Sequence, residues 1–124
     1  LLIGEPWCGD GAQNIPIIAH LASFSQKVTL NLVLRDENPE IMDRYLTNGT
    51  RSIPKLIIKD PITNEDLAAW GPRPAAIAEK VKAFKTEFPD VPKDEFLKNL
   101  HLWYAKDKGL SLQNDLVEIF QNLK

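Results

Sequence analysis

Short apolar strands that alternate with amphipathic helices bury their faces best in a sheet covered by helices, and this chain carries that alternation from its first residues. Residues 1–3, Leu-Leu-Ile, read as the end of a fully apolar strand. Residues 12–25 repeat Ile15, Ile18, Ala19 and Ala22 at helical spacing. Asp10 is placed to cap that helix, with Gln13 three residues on, and Pro16 is expected to bend it. Residues 28–34 alternate, with Val28, Leu30, Leu32 and Leu34 on one face, and predict a strand. Residues 37–46 predict a second helix with Pro39 in its first turn, ended by Asn48-Gly49. Ile53-Pro54 leads into a strand over 55–59, and a further strand follows over 67–70.

Helices alone come after that. Residues 75–88 carry Ile77, Val81, Phe84 and Phe88 on one stripe. Residues 93–108 are expected to bury Phe96, Leu100, Trp103 and Tyr104, with Gly109 just past the end. Ser111 is placed to cap a last helix bearing Leu112, Leu116, Ile119 and Leu123. The order predicts an α/β class: a mixed β-sheet flanked by helices, then a C-terminal helical hairpin. The expected division is a domain over 1–90 and a helical extension over 91–124 packed on it.

Charge narrows the partners. Lys and Arg number 15 against 17 Asp and Glu, a net −2, and the basic residues are scattered, so no nucleic-acid footprint is present. No apolar run reaches the ~20 residues of a membrane span, so no membrane partner is expected. The single cysteine, Cys8, excludes an intramolecular disulfide and a cysteine-only metal cage, and fits a reducing compartment, the cytoplasm. His20 and His101 have no partner at ligand spacing, so no metal is expected. The sequence opens without Met, and the expectation is that an N-terminal segment lies outside it.

The chemistry concentrates in Glu5-Pro6-Trp7-Cys8-Gly9-Asp10-Gly11, which sets one thiol between a strand end and a helix start. Unpaired N–H groups at a helix N-terminus favour an anion, so a thiolate is favoured there. Gly9 clears space beside the sulfur, and Trp7 offers a flat apolar wall. Asp10 opposes thiolate formation by like charge. Against this stands the common role of a lone cysteine as a small buried hydrophobe. Glu5 can accept a proton near Cys8, though an exposed loop carboxylate is the expectation. Asp36, Glu37, Glu40 and Asp43, with Arg35 and Arg44 among them, read as a solvated helix face. Trp70 and Trp103 read as core or groove-lining residues.

Trp7-Cys8-Gly9 with Pro16 behind it, Ile53-Pro54 before a short strand, and Asn38-Pro39 opening the intervening helix together resemble the thioredoxin family over residues 1–88. Trp-Cys-Gly-Asp is similar to a bacterial branch of that family, and the helix with Leu102-Trp103-Tyr104 is similar to that branch's C-terminal extension. The resemblance implies a thioredoxin-like fold and Cys8 as the catalytic nucleophile. It implies substrate contacts from Trp7, Gly9, Ile53 and Pro54, with Ile53–Pro54 cis. It implies no cofactor, and a disulfide-bearing protein or low-molecular-weight thiol as partner. The chain departs from the pattern in three places. Gly11 stands where the family has its resolving cysteine, Leu2 where it often has a buried acid, and its first strand and helix have no counterpart. Two readings follow: a monothiol disulfide oxidoreductase released by an external thiol, or a redox-inactive binding module gripping a peptide between Trp7, Pro54 and Trp70. Arg51 can meet a substrate carboxylate in either, or remain a solvated charge.

Overall fold

The structure, a computed structural model, describes residues 1–123. It divides into two compact units, residues 1–72 and residues 73–122. The first contains β1 (Leu2–Gly4), α1 (Gly9–Ala22), β2 (Leu32–Leu34), α2 (Pro39–Met42), β3 (Lys55–Lys59) and β4 (Asp66–Trp70). The strands form one sheet in the order β2-β1-β3-β4. Strands β1 and β2 pair in parallel, Leu2 opposite Leu32 and Gly4 opposite Leu34, so a long crossover must join them, and α1 supplies it. Strand β3 runs antiparallel to both neighbours, Leu56 lying between Leu2 and Trp70. The core of this unit gathers Ile3, Met42, Ile53 and Ile57, with Cys8, Val33, Ile41 and Tyr45 packed against it.

Two elements are shorter than their sequence patterns. The alternation over 28–34 becomes a strand only at 32–34, because its partner β1 is itself three residues long. Ahead of it Val28 is exposed, and its N–H bonds to the Ser25 carbonyl instead of a strand. The helix expected over 37–46 is the single turn Pro39–Met42. Asn48 and Gly49, both at positive φ, do not end that helix; they form a two-residue turn in which Thr47 and Thr50 exchange backbone hydrogen bonds of 2.9 and 3.0 Å. Helix α1 runs through Pro16 without ending.

The second unit contains α3 (Ala75–Glu87), α4 (Lys93–Asp107) and α5 (Leu110–Gln121). Ile77 and Val81 of α3 meet Leu100 and Tyr104 of α4, with Phe96, Leu97 and Trp103 packed around them. Phe84 stands edge-on to Trp103 at 5.5 Å between ring centres. Helix α5 buries Leu112 and Leu116, and its Asp115 carboxylate accepts the Ala75 N–H at 2.8 Å, satisfying a free donor in the first turn of α3. Thus α3 shares its core with the two C-terminal helices. The link between α4 and α5 uses two left-handed residues, Lys108 and Gly109, and Gly109 is the N-cap of α5. Ser111 does not cap that helix. Its N–H and hydroxyl both donate to Asp107, at the end of α4.

Candidate functional site

Strand β1 delivers the chain into Glu5, Pro6 and Trp7, and Cys8 then takes the extended conformation (φ −78°, ψ 125°) of the N-cap of α1. Its carbonyl accepts the Ala12 N–H at 2.8 Å, the first bond of the helix. The capping position therefore belongs to Cys8. Asp10, expected there from its residue type, lies inside the first turn and is buried. The difference is one of register: the helix starts as soon as Gly9 permits it, two residues before the side chain best suited to cap it.

The Cys8 thiol is half-buried and donates to the Ile53 carbonyl across 3.4 Å. This contact joins two segments 45 residues apart. The Ile53–Pro54 peptide bond is cis, as is Gly71–Pro72. Of the residues singled out by sequence, Cys8 and Ile53 meet directly, and Gly9 opens the helix beside them. Trp7 is 62% exposed, whereas Ile53, Pro54 and Trp70 are buried. A groove walled by Trp7, Pro54 and Trp70 is thus open to solvent only at Trp7; what the buried segment offers is the Ile53 backbone. Pro54 is closed in further by Gly71, where an added Cβ would lie 2.2 Å from the Pro54 carbonyl oxygen. Gly11 is buried beside the thiol, and a Cβ there would sit 3.4 Å from the Cys8 Cβ.

Charged groups brace the strand ends and the segments that flank this thiol in an arrangement that residue types alone did not convey. Glu5, expected as an exposed loop carboxylate, is buried, and its Oε1 accepts the Asp36 N–H at 2.8 Å. It fastens the end of β1 to the end of β2, where the Gly4 carbonyl also accepts the Arg35 N–H at 3.1 Å. Arg35 is not on a solvated helix face. It precedes α2, its side chain is 22% exposed, and its guanidinium lies 4.8 Å from the Trp7 ring centre. Arg51 is engaged by Asp43 through two bonds, 2.7 and 2.9 Å. That pairing, hydrogen bonds first and charge second, holds the Asp43 carboxyl below its ordinary value and raises the Arg51 guanidinium. Further along the sheet, Lys59 donates to Asp66 at 2.7 Å and to the Tyr45 hydroxyl at 3.1 Å, and Asp66 is held low by Lys59 and then by Tyr45. The sequence signal for Glu5 and Arg35 was their placement directly after two short apolar strands, where a side chain must reach across to the neighbouring strand end.

Among the described residues, no group of three or more His, Cys, Asp or Glu side chains is placed to hold a metal ion, and no helix is long and apolar enough to cross a membrane. A strand-end thiol at a helix N-cap, facing a cis X-Pro step across a mixed sheet, defines a thioredoxin-like α/β fold with C-terminal helices. A thioredoxin family model matches residues 1–85, and the chain belongs to that family. No curated protein and no solved structure matches it.

Proposed function

We propose that this protein is a monothiol disulfide oxidoreductase acting through Cys8. The observation that carries this reading is the position of the sulfur: at the N-cap of a fourteen-residue helix, beside a glycine on its helical side and 3.4 Å from a main-chain carbonyl that borders an X-Pro step. In the first step the Cys8 thiolate attacks one sulfur of a partner's disulfide. A Cys8–sulfur bond forms, the partner's S–S bond breaks, and its other sulfur leaves as a thiolate. A chain with a second cysteine would resolve this adduct internally. Here Gly11 occupies that place, so an external low-molecular-weight thiol attacks the partner-side sulfur, regenerates the Cys8 thiolate and carries the partner away as a new disulfide. Such thiols are abundant in the reducing cytoplasm, which fits the lone cysteine. Trp7 offers the exposed apolar surface for the partner, and the Ile53 main chain borders the sulfur.

A second reading, a redox-inactive binding module, is favoured by one observation: in this structure the thiol proton is committed to the Ile53 carbonyl. One experiment separates the two. After incubation with glutathione disulfide, mass spectrometry of the intact protein should show a single glutathione adduct, abolished in Cys8→Ser and removed by added reduced glutathione. A protein that stays unmodified at neutral pH while folded, and is labelled only in denaturant, excludes the oxidoreductase and leaves the binding module.

A further inference from the structure

Arg35 makes contacts that neither reading of Cys8 uses. Its guanidinium lies over the Trp7 ring at 4.8 Å, its Nη1 donates to the Arg51 carbonyl at 3.2 Å, and its Nε meets Asp36 at 3.1 Å. Trp7 is the residue before Cys8, and Arg51 stands two residues before Ile53. The side chain therefore bridges the same two segments that the Cys8–Ile53 hydrogen bond joins. Its own backbone is fixed at both ends: the Arg35 N–H bonds to the Gly4 carbonyl at 3.1 Å, and the next N–H, that of Asp36, to the buried Glu5 carboxylate at 2.8 Å. The aim of the guanidinium is thus set by the strand ends, not by solvent. Without such a clamp, an indole that is 62% exposed has little else to hold one orientation. A planar fork is suited to this task, since one face can stack on an aromatic ring while its edge donates to a carbonyl.

We propose that Arg35 is a positioning residue: it holds the Trp7 indole and the 51–53 segment at a fixed separation, and so sets the mouth through which a peptide partner reaches Cys8. The role in partner approach rests on the oxidoreductase reading; the clamp itself does not. Lysine at this position would keep the positive charge on the indole but lose the fork that reaches the Arg51 carbonyl.

Two measurements on the full chain test this. The first is acrylamide quenching of Trp7 fluorescence, obtained by subtracting the Trp7→Phe variant in each background. The second is the ratio of Cys8 rates towards a peptide disulfide and towards iodoacetamide, which is too small to need the mouth. Arg35→Met is expected to raise Trp7 quenching and to lower that ratio about tenfold, with Arg35→Lys between it and the native protein. Melting curves establish that each variant is folded. Should Arg35→Met fail to fold, Arg35→Lys carries both measurements, and Trp7→Leu, which has no indole to quench, carries the rate ratio. Unchanged quenching in the folded variants overturns the clamp. Raised quenching with an unchanged ratio overturns its role in partner approach. If the native protein reacts with iodoacetamide and with no disulfide, the oxidoreductase reading fails, and the clamp stands or falls on quenching alone.

Discussion

In the helical unit a buried side chain finds its partners by repetition. Ile77 and Val81 stand four apart on α3 and meet Leu100 and Tyr104, four apart on α4. In the sheet unit the partners are distant and unrepeated: Ile3 packs with Ile57, Glu5 holds Asp36 31 residues away, and Cys8 reaches Ile53 45 residues away. Repetition makes the helical unit tolerant, because neighbouring turns offer similar contacts. The sheet unit depends on single junctions, each made once, and these are the junctions that shape the thiol's surroundings. The site is thus located where local redundancy is least, and a change there should act on geometry before it acts on bulk stability.

The largest effect tests the helical side. Ending the chain after Asp90 removes α4 and α5 and strips Ile77 and Val81 of Leu100 and Tyr104. Each such buried residue contributes about 1.5–3 kcal/mol before entropy is counted. The expected result is aggregation, or a fall in melting temperature of more than about 10 °C. A soluble truncated protein that unfolds cooperatively at the native temperature would show that this unit's core adds nothing to the whole.

A matched pair of point substitutions sharpens the contrast. Leu100→Ala deletes buried volume in the helical core and should cost about 2–5 kcal/mol. Gly71→Ala adds one methyl group in the sheet unit. Gly71 has φ +124°, and the added Cβ would lie 2.2 Å from the Pro54 carbonyl oxygen, which is backbone and cannot swing aside. About 2–4 kcal/mol is expected, from one carbon atom. Denaturant titration of both measures the two costs. Only Gly71→Ala should also change the rate of Cys8 alkylation, because the Pro54 carbonyl it displaces adjoins the Ile53 carbonyl that accepts the thiol.

Chemistry separates the units further. Gly11 lies within α1 and not at positive φ, and a Cβ there stands 3.4 Å from the Cys8 Cβ, close to the ~3.5–4.5 Å seen across disulfides. The Gly11→Cys variant should therefore close a disulfide onto Cys8 on mild oxidation, with loss of both free thiols by Ellman titration. It should also gain insulin-reducing turnover, which the native chain is expected to lack. Robust turnover by the native chain would overturn the monothiol mechanism. Failure of the paired thiols to oxidise would show that the helix start is too rigid to bring them together.

What the sequence conveyed divides along the same line. Strand β3 is found at 55–59 as read, and α3, α4 and α5 begin and end within a residue or two of their apolar patterns, because a helical stripe is sampled several times over each helix. Strand β2 and helix α2 were overestimated, since three or four residues are too few for a period to be counted and their ends are decided by the partner element. At the site, Cys8 was legible as the one cysteine of the sequence, Gly9 by its place beside that thiol, and the Ile53-Pro54 step through the resemblance to the thioredoxin family. Glu5 and Arg35 were not, because carboxylates and guanidinium groups are usually solvated, and only the meeting of two strand ends makes these two structural.

The smallest expected effect concerns acid, and it falls on the sheet unit. Three carboxylates there are held below the ordinary value of 3.8: Asp43 by Arg51, Asp66 by Lys59 and Tyr45, and Asp60 by the N–H groups of Thr63 and Ile62. A group whose folded value is depressed binds its proton more readily in the unfolded chain. Its stabilisation is fully present above 3.8 and is lost as pH falls through the lower folded value. All three are solvent-exposed pairs or turn contacts, so each contributes little and salt weakens it further. The contribution of these three groups to the melting temperature should be flat above about pH 5 and decline below about pH 4. In Asp43→Asn the decline should be shallower by about a degree or two, whereas Leu100→Ala should lower the whole curve without altering its slope. An Asp43→Asn curve parallel to the native one would show that the Arg51 pairing adds nothing to folding and serves only to fix Arg51, whose carbonyl is the one Arg35 holds.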